Sequence, residues 1–277
     1  MAVKDSKKTP LISIIIPMYN AEKYIEETIG NILSQTYENY EILVIDDCSN
    51  DNSVQIIQKL AKLYDFITLI ESEVNFGGPA KPRNMGVKNA NGEYLAFLDA
   101  DDLWNKDKLA IQLTYMLDNH LNFSSTGKIN IDEKSNEINF KAGILAKINA
   151  RNSKKDICDL IKYRFIFTSS VIVSRDLNVY FDESHKYKAV EDLCAWLNLF
   201  RQSNTQYGYI ENKLLKYRIL EQSISARNIE FKHATKAYIC ILNFILKYEM
   251  YEKMKCFYKA CARDFSLNFL QKIMRKK

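Results

Sequence analysis

The chain has 277 residues, of which 47% are apolar and 12% aromatic, enough to bury a large core and too apolar for a disordered or fibrous protein. Thirty-nine Lys and Arg against 34 Asp and Glu give a net charge of +5. Residues 247–277 hold nine basic and three acidic side chains, so the charge sits at one end of a near-neutral body. Three histidines and six scattered cysteines without a CxxC pair argue against a zinc site or disulfide framework and for reduced thiols in a cytoplasmic protein.

The first hundred residues alternate strand and helix. Leu11 to Met18 (LISIIIPM) is a short β-branched run and reads as a buried strand. It is too short for a signal peptide, and Pro17 interrupts it. Asn20 is placed to cap a helix whose inward face recurs at Tyr24/Ile25, Thr28/Ile29 and Ile32/Leu33. EILVID is a second strand ending at Asp46 and Asp47, CSNDNS a turn, and Val54 to Tyr64 a helix. ITLIE is a third strand, NFGGPA a turn, and Lys81 to Ala90 a helix that tolerates Pro82 in its first turn. EYLAFL is a fourth strand, followed by a helix over Leu103 to His120. Residues 122–150 are polar and strand-poor and read as a hairpin or loops. SSVIVS (Ser169 to Ser174) is a strand and EDLCAWLNLF (Glu191 to Phe200) a helix. From Phe231 onward the pattern is helical, aromatic and basic. Repeated β-α-β units imply an α/β fold, a mostly parallel central sheet flanked by helices. The simplest organisation is a catalytic domain over residues 1–230 with a helical C-terminal extension over 231–277. No stretch reaches the ~20 apolar residues of a membrane-spanning helix.

Ligands of such sheets bind beyond the carboxyl ends of the strands. Tyr19, Asp46/Asp47 and Asp99/Asp101 all fall at such ends. The motif DADD (Asp99, Ala100, Asp101, Asp102) crowds three carboxylates where burial is costly without a positive partner, and a divalent cation carrying a diphosphate would supply one. The same acids also suit a turn capping the next helix. Lys81 and Arg83, in GGPAKPRNMG, stand at a helix start beside backbone N–H groups, a setting that suits phosphate, although the Walker A spacing is absent. Tyr19 can stack on a base, or simply pack.

Taken together, ISIIIPMYNAEKYIEETIGNILSQTYENYEILVIDDCSNDNS and NFGGPAKPRNMGVKNANGEYLAFLDADDLW closely resemble the family 2 glycosyltransferases of GT-A fold. The likeness is dense over residues 11–117. It continues more thinly through FDES (Phe181 to Ser184), EDLCAWL and KYRILEQSIS (Lys216 to Ser225). The resemblance implies that Pro17, Tyr19 and one or both of Asp46 and Asp47 hold the base of a nucleotide-sugar, with Arg83 positioning the nucleotide. It implies that Asp99 contacts the ribose, that Asp101 binds Mg²⁺ or Mn²⁺ through the diphosphate, and that Asp192, beside Glu191, is the general base. Lys81, Asp102 and Arg218 are further candidates near the diphosphate. Relatives often carry His or Arg two positions after the YR of this last motif. Here that position is Leu220, which makes Arg218 the candidate substitute.

The implied activity is inverting transfer from a nucleotide-sugar, a UDP-sugar by expectation, to a lipid-linked saccharide in bacterial surface-polysaccharide synthesis such as O-antigen or capsule. The basic tail, with Phe257, Tyr258, Phe265 and Phe269, is expected to meet an anionic membrane surface at the inner face of the cell membrane, and no nucleic-acid partner is expected. A receiver-like signalling module shares the acid pair of ILVIDD but does not fit the size. A non-catalytic saccharide-binding relative is the other alternative, against which Asp99, Asp101 and Asp192 stand intact.

Overall fold

The computed structural model describes residues 9–138, 156–220 and 230–274. An eight-stranded sheet organises the chain: β1 (Ile12–Met18), β2 (Tyr40–Asp46), β3 (Ile67–Glu71), β4 (Tyr94–Phe97), β5 (Leu103–Trp104), β6 (Phe123–Ile131), β7 (Ile172–Ser174) and β8 (Tyr207–Arg218). Their order is β3-β2-β1-β4-β7-β6-β8-β5. The pairings among β1–β4 are all parallel, β6 pairs parallel with β8, and β7 and β5 pair antiparallel with their neighbours. The first four strands therefore form the expected parallel half, and chain order reverses at β1/β4, where a crevice opens beyond the strand ends.

Side-chain alternation explains why the sheet is covered on both faces. Ile12, Ile14 and Ile16 of β1, Ile42 and Val44 of β2 and Ala96 of β4 face one apolar cluster. Ile15, Leu43, Ile45, Leu95 and Phe97 face the other. The first face is closed by α1 (Ile25–Leu33), α2 (Ser53–Leu63) and α4 (Lys108–Asp118). The second is closed by α3 (Ala80–Asn89), α5 (Ile157–Tyr163), α6 (Glu191–Arg201), α7 (Glu230–Lys247) and α8 (Met254–Met274). Trp196 of α6 sits at the centre of the second layer, its ring 5.5–6.0 Å from those of Phe97, Phe123 and Phe181.

Several sequence expectations change. Leu103 and Trp104 do not start a helix. They pair with Lys216 and Leu215 of β8, and α4 begins at Lys108. The segment read as strand-poor contains β6, nine residues long, whose Ser124, Ser125 and Thr126 are buried, so its hydrophobic signal is weak. Residues 139–150 of that segment lie outside the described residues. Asn20 does not cap α1. It has φ 48°, and its Oδ1 accepts from the Asn50 N–H (2.9 Å), tying the end of β1 to the turn after β2. Phe257 points into the core rather than outward, together with Ala237, Ile241, Phe244 and Ala260, so α7 and α8 pack into the same cluster as α6. The expectation of unpaired thiols is also corrected. The sulfurs of Cys158 and Cys256, and of Cys194 and Cys240, lie at bonding distance, while Cys48 and Cys261 are free. Separations of 98 and 46 residues hide such pairs from any reading of local spacing. No helix among the described residues is long and apolar enough to cross a membrane.

Candidate active site

The site is built where α3 and α6 begin, against the end of β4. Close packing fixes α3. A Cβ on Gly86 would lie 2.4 Å from Cγ2 of Ile15 and 2.9 Å from Cδ1 of Ile45, so only glycine lets the helix approach the sheet this closely. The same helix face buries Pro82 and Arg83. Arg83, 4% exposed, donates from Nη2 to Asp99 Oδ1 (2.7 Å) and from Nη1 to Glu191 Oε1 (3.2 Å), with Phe181 5.3 Å beneath the guanidinium. One cation thus joins the end of β4 to the start of α6. Its Nε and the second Glu191 oxygen are buried without partners among the described residues.

The three carboxylates of DADD have three different environments. Asp99 has Arg83. Asp102 is buried, and it accepts from the Ser169 hydroxyl (2.6 Å) and the Arg218 backbone N–H (2.9 Å). Burial and the charges of Asp101 and Asp99 push it well above the usual carboxylate range. Asp102 therefore braces the β4 end against β8, and its expected place beside a diphosphate is not supported. Asp101 forms no ion pair among the described residues, and burial together with Asp99 pushes it up to about 6. It is the acid of the three whose charge is least compensated.

Arg218 is likewise committed elsewhere. Its side chain is fully buried, and its donors reach the carbonyls of Asp101 (2.7 Å), Asp132 and Glu133 (both 3.0 Å), the Ser135 hydroxyl (3.1 Å) and Glu27 Oε2 (2.8 Å). It clamps the loop that carries Asp101 instead of replacing the side chain missing at Leu220. Residues 221–225 of the KYRILEQSIS motif lie outside the described residues.

Across the sheet, Tyr19 is 52% exposed at the end of β1, next to the half-buried Pro17 and the end of β2. Asp46 is buried. Its Oδ2 accepts from the Ser49 N–H (2.9 Å), and its Oδ1 has no partner among the described residues. Asp47 accepts instead from the Phe76 N–H (2.8 Å), and its carbonyl accepts from Asn75 (2.8 Å), so it shapes the NFGG turn. Lys81 is half-buried and pairs with Glu183 (3.3 Å) beside that turn.

Asp192 and Glu191 line a cavity of about 250 Å³ together with Arg83 and Asp99. Asp192 Oδ1 accepts from the Leu193 N–H (2.7 Å) and Oδ2 from the Thr168 hydroxyl (3.2 Å), which fixes its rotamer. Burial raises both acids above the usual range, and Arg83 opposes the rise. Ala189, on the same wall, holds φ 75°, a conformation costly for a residue with a Cβ. Sequence reasoning missed Thr168, Ser169 and Arg164 of this cavity; nothing in their local pattern marks them.

The sequence description of Glycosyl transferase family 2 matches residues 13–179. The chain belongs to the family 2 glycosyltransferases. It is 32% identical to the putative teichuronic acid biosynthesis glycosyltransferase TuaG of Bacillus subtilis, over 85% of this chain and 94% of that protein. It is 33% identical to the UDP-Glc:α-D-GlcNAc-diphosphoundecaprenol β-1,3-glucosyltransferase WfgD of Escherichia coli, over 85% of this chain and 87% of that one. Among solved structures, residues 1–349 of TarS from Staphylococcus aureus with UDP-GlcNAc superpose with a TM-score of 0.70 at 22% identity, covering 93% of this chain and 73% of that one. This glycosyltransferase thus has the expected GT-A fold.

Proposed function

We propose that the chain is an inverting, metal-assisted transferase that moves a sugar from a UDP-sugar to a lipid-linked saccharide in bacterial surface-polysaccharide synthesis. The observation that carries this reading is the convergence of Asp99, Arg83, Glu191 and Asp192, from three separate elements, on one cavity beyond the β4 end. The donor and acceptor classes are supported by the relative that uses UDP-Glc and a diphosphoundecaprenol-linked acceptor, and by the UDP-GlcNAc complex of the structural neighbour.

The residues fit the base and the metal. Asp46 Oδ1, buried and unpartnered beside Tyr19 and Pro17, suits an imide N–H such as that of uracil. Asp101, half-buried and without an ion pair, suits a hard cation. Mg²⁺ or Mn²⁺ would be held there by one carboxylate together with phosphate and water. When bound, the cation offsets the charge of the departing diphosphate.

The protein's own groups do the rest. Asp192 takes the proton as the acceptor O–H bond breaks. The new O–C1 bond forms from the face opposite the diphosphate, and the C1–O bond to phosphate breaks, releasing the nucleoside diphosphate. Arg83 holds Asp99 and Glu191 in place, and Glu191 orients the start of α6. Substituting Asp192 by Asn keeps the bond from the Leu193 N–H at its oxygen and lets its amide donate to the Thr168 hydroxyl in the reverse sense, but removes the proton acceptor. Transfer should fall by roughly 10²–10⁴-fold, with UDP affinity and melting temperature near wild type. A folded Asp192→Asn enzyme with near-normal turnover would remove Asp192 from the mechanism.

The tail supports a peripheral membrane contact at the inner leaflet. Tyr251 and Tyr258 are 59% and 63% exposed, Lys255 and Lys259 are exposed alongside them, and Ile239 and Leu246 add exposed apolar area on α7. Phe265, Phe269 and the final basic residues lie beyond the described side chains.

A further inference from the structure

The cavity wall includes side chains that the transfer chemistry leaves unused: Leu160, Ile166 and Ala237, and with them Arg164. Arg164 terminates α5 in the left-handed conformation (φ 45°, ψ 50°), where glycine would be less strained. Its Nη2 donates to Asp264 Oδ2 (2.6 Å), and its guanidinium lies 5.3 Å from the Tyr238 ring. Its Nη1 is buried and has no acceptor among the described residues. A buried donor left unmatched costs free energy unless a ligand completes it.

The charge count points the same way. Asp264 is one carboxylate, yet it accepts from two guanidiniums, Arg164 and Arg263 (2.7 Å), and from the Tyr238 hydroxyl. Among the described residues this cluster keeps one positive charge in excess, and its Arg164 lines the cavity whose wall also carries the acids Asp99, Glu191 and Asp192. Arg83 also has a buried donor without a partner among the described residues, its Nε, but two of those acids already offset its charge, so it has no positive charge in excess.

We propose that Arg164 is a specificity-determining residue that receives an anionic oxygen, carboxylate or phosphate, on the saccharide occupying this cavity, with Asp264 and Tyr238 as its positioning residues. The proposal rests on the reading of the cavity as the sugar-transfer site. It goes further by placing an anionic group of the bound saccharide against Arg164, beyond the charge of any lipid-diphosphate linkage. It also gives α7 and α8 a role in the site, since both positioning residues belong to them.

The test is a binding comparison on the full chain, by ligand-observed NMR titration with and without UDP and Mn²⁺. The probes are methyl β-D-glucuronide, methyl β-D-glucoside 6-phosphate and the neutral methyl β-D-glucoside. Wild type should bind at least one anionic probe about 10- to 100-fold more tightly than the neutral one, the range of a hydrogen bond to a charged group. Which anion is preferred tells carboxylate from phosphate. Arg164→Met should erase the preference, and Arg164→Lys should keep part of it. Equal binding of all three probes by wild type, no measurable binding of either anion, or a preference that survives in Arg164→Met overturns the proposal. The wild-type comparison decides even if Arg164→Met does not fold. UDP titration separates the two readings: loss of UDP binding would count against the transferase assignment, whereas intact UDP binding without an anion preference would count against Arg164 alone.

Discussion

Asp101 and Asp102 are neighbours in sequence, but their surroundings divide their work. Asp102 is satisfied by Ser169 and the backbone of Arg218, whereas Asp101 has no ion pair among the described residues and its charge is only partly offset by Arg218. A carboxylate raised to about 6 in the folded chain binds more protons there than in the unfolded chain, whose value is near 4. Its ionisation therefore costs stability that is progressively regained as pH falls from about 7 toward 4. Asp101→Asn should raise the stability of the metal-free protein at pH 7 by at most about 2–3 kcal/mol, with the gain over wild type vanishing near pH 4. Chemical denaturation across this range checks it. A variant no more stable than wild type at pH 7 would mean that Asp101 is not strained by charge. The two acids at the β2 end diverge in the same way. Asp46→Ala should weaken UDP binding about 10-fold or more by removing a charged acceptor, because Asp46 Oδ1 has no protein partner, while Asp47→Asn should perturb chiefly the NFGG turn. Titration calorimetry of both variants tests this division, and equal losses of affinity would contradict it.

At the scale of elements, the position of α3 decides where Arg83 stands, and Gly86 decides the position of α3. Gly86→Ala gains helix propensity of about 1 kcal/mol, but its methyl would overlap Ile15 and Ile45 in a packed core, a penalty of about 1–3 kcal/mol. Overpacking should win. The variant should melt lower and, with Arg83 displaced from Asp99 and Glu191, lose turnover by more than its folded fraction explains. Thermal melting beside a transfer assay checks both effects, and unchanged turnover would show that α3 tolerates the shift. The elements legible in the sequence are those with one clear period. β1, β2 and β4 are continuous apolar runs ending in polar turns, and α1, α2 and α6 repeat every three or four residues. β6 is not legible, because buried Ser124 is matched by Gln112 (2.9 Å) and Ser125 by Tyr207 (2.6 Å), so polar side chains fill a core strand. The acids of the site are legible as strand-end and helix-start residues. Their partners are not: Arg83 meets Glu191 across 108 residues and Arg218 meets Asp102 across 116, separations that only the topology closes.

On the scale of the whole molecule, α7 and α8 complete the layer that supports Trp196 and the cavity wall, so they are part of the folded body as well as its basic end. Deleting residues 247–277 would remove Phe257 and Ala260 from the core and confuse membrane release with unfolding. Charge reversal at the exposed Lys255 and Lys259 avoids this. With each basic residue worth about 1 kcal/mol near an anionic surface, Lys255→Glu/Lys259→Glu should lose most sedimentation with phosphatidylglycerol vesicles while melting near the wild-type temperature. Unchanged sedimentation would place the contact elsewhere. If the β2 end, Asp101 and the α6 acids form one nucleotide-sugar site, calorimetric titration of UDP with and without Mn²⁺ into wild type, Asp101→Ala and Asp192→Asn will show it. Wild type should bind UDP more tightly with Mn²⁺, Asp192→Asn should show the same enhancement, and Asp101→Ala should lose it. Wild-type protein that fails to bind UDP with Mn²⁺, or Asp101→Ala that retains the full enhancement, would contradict it.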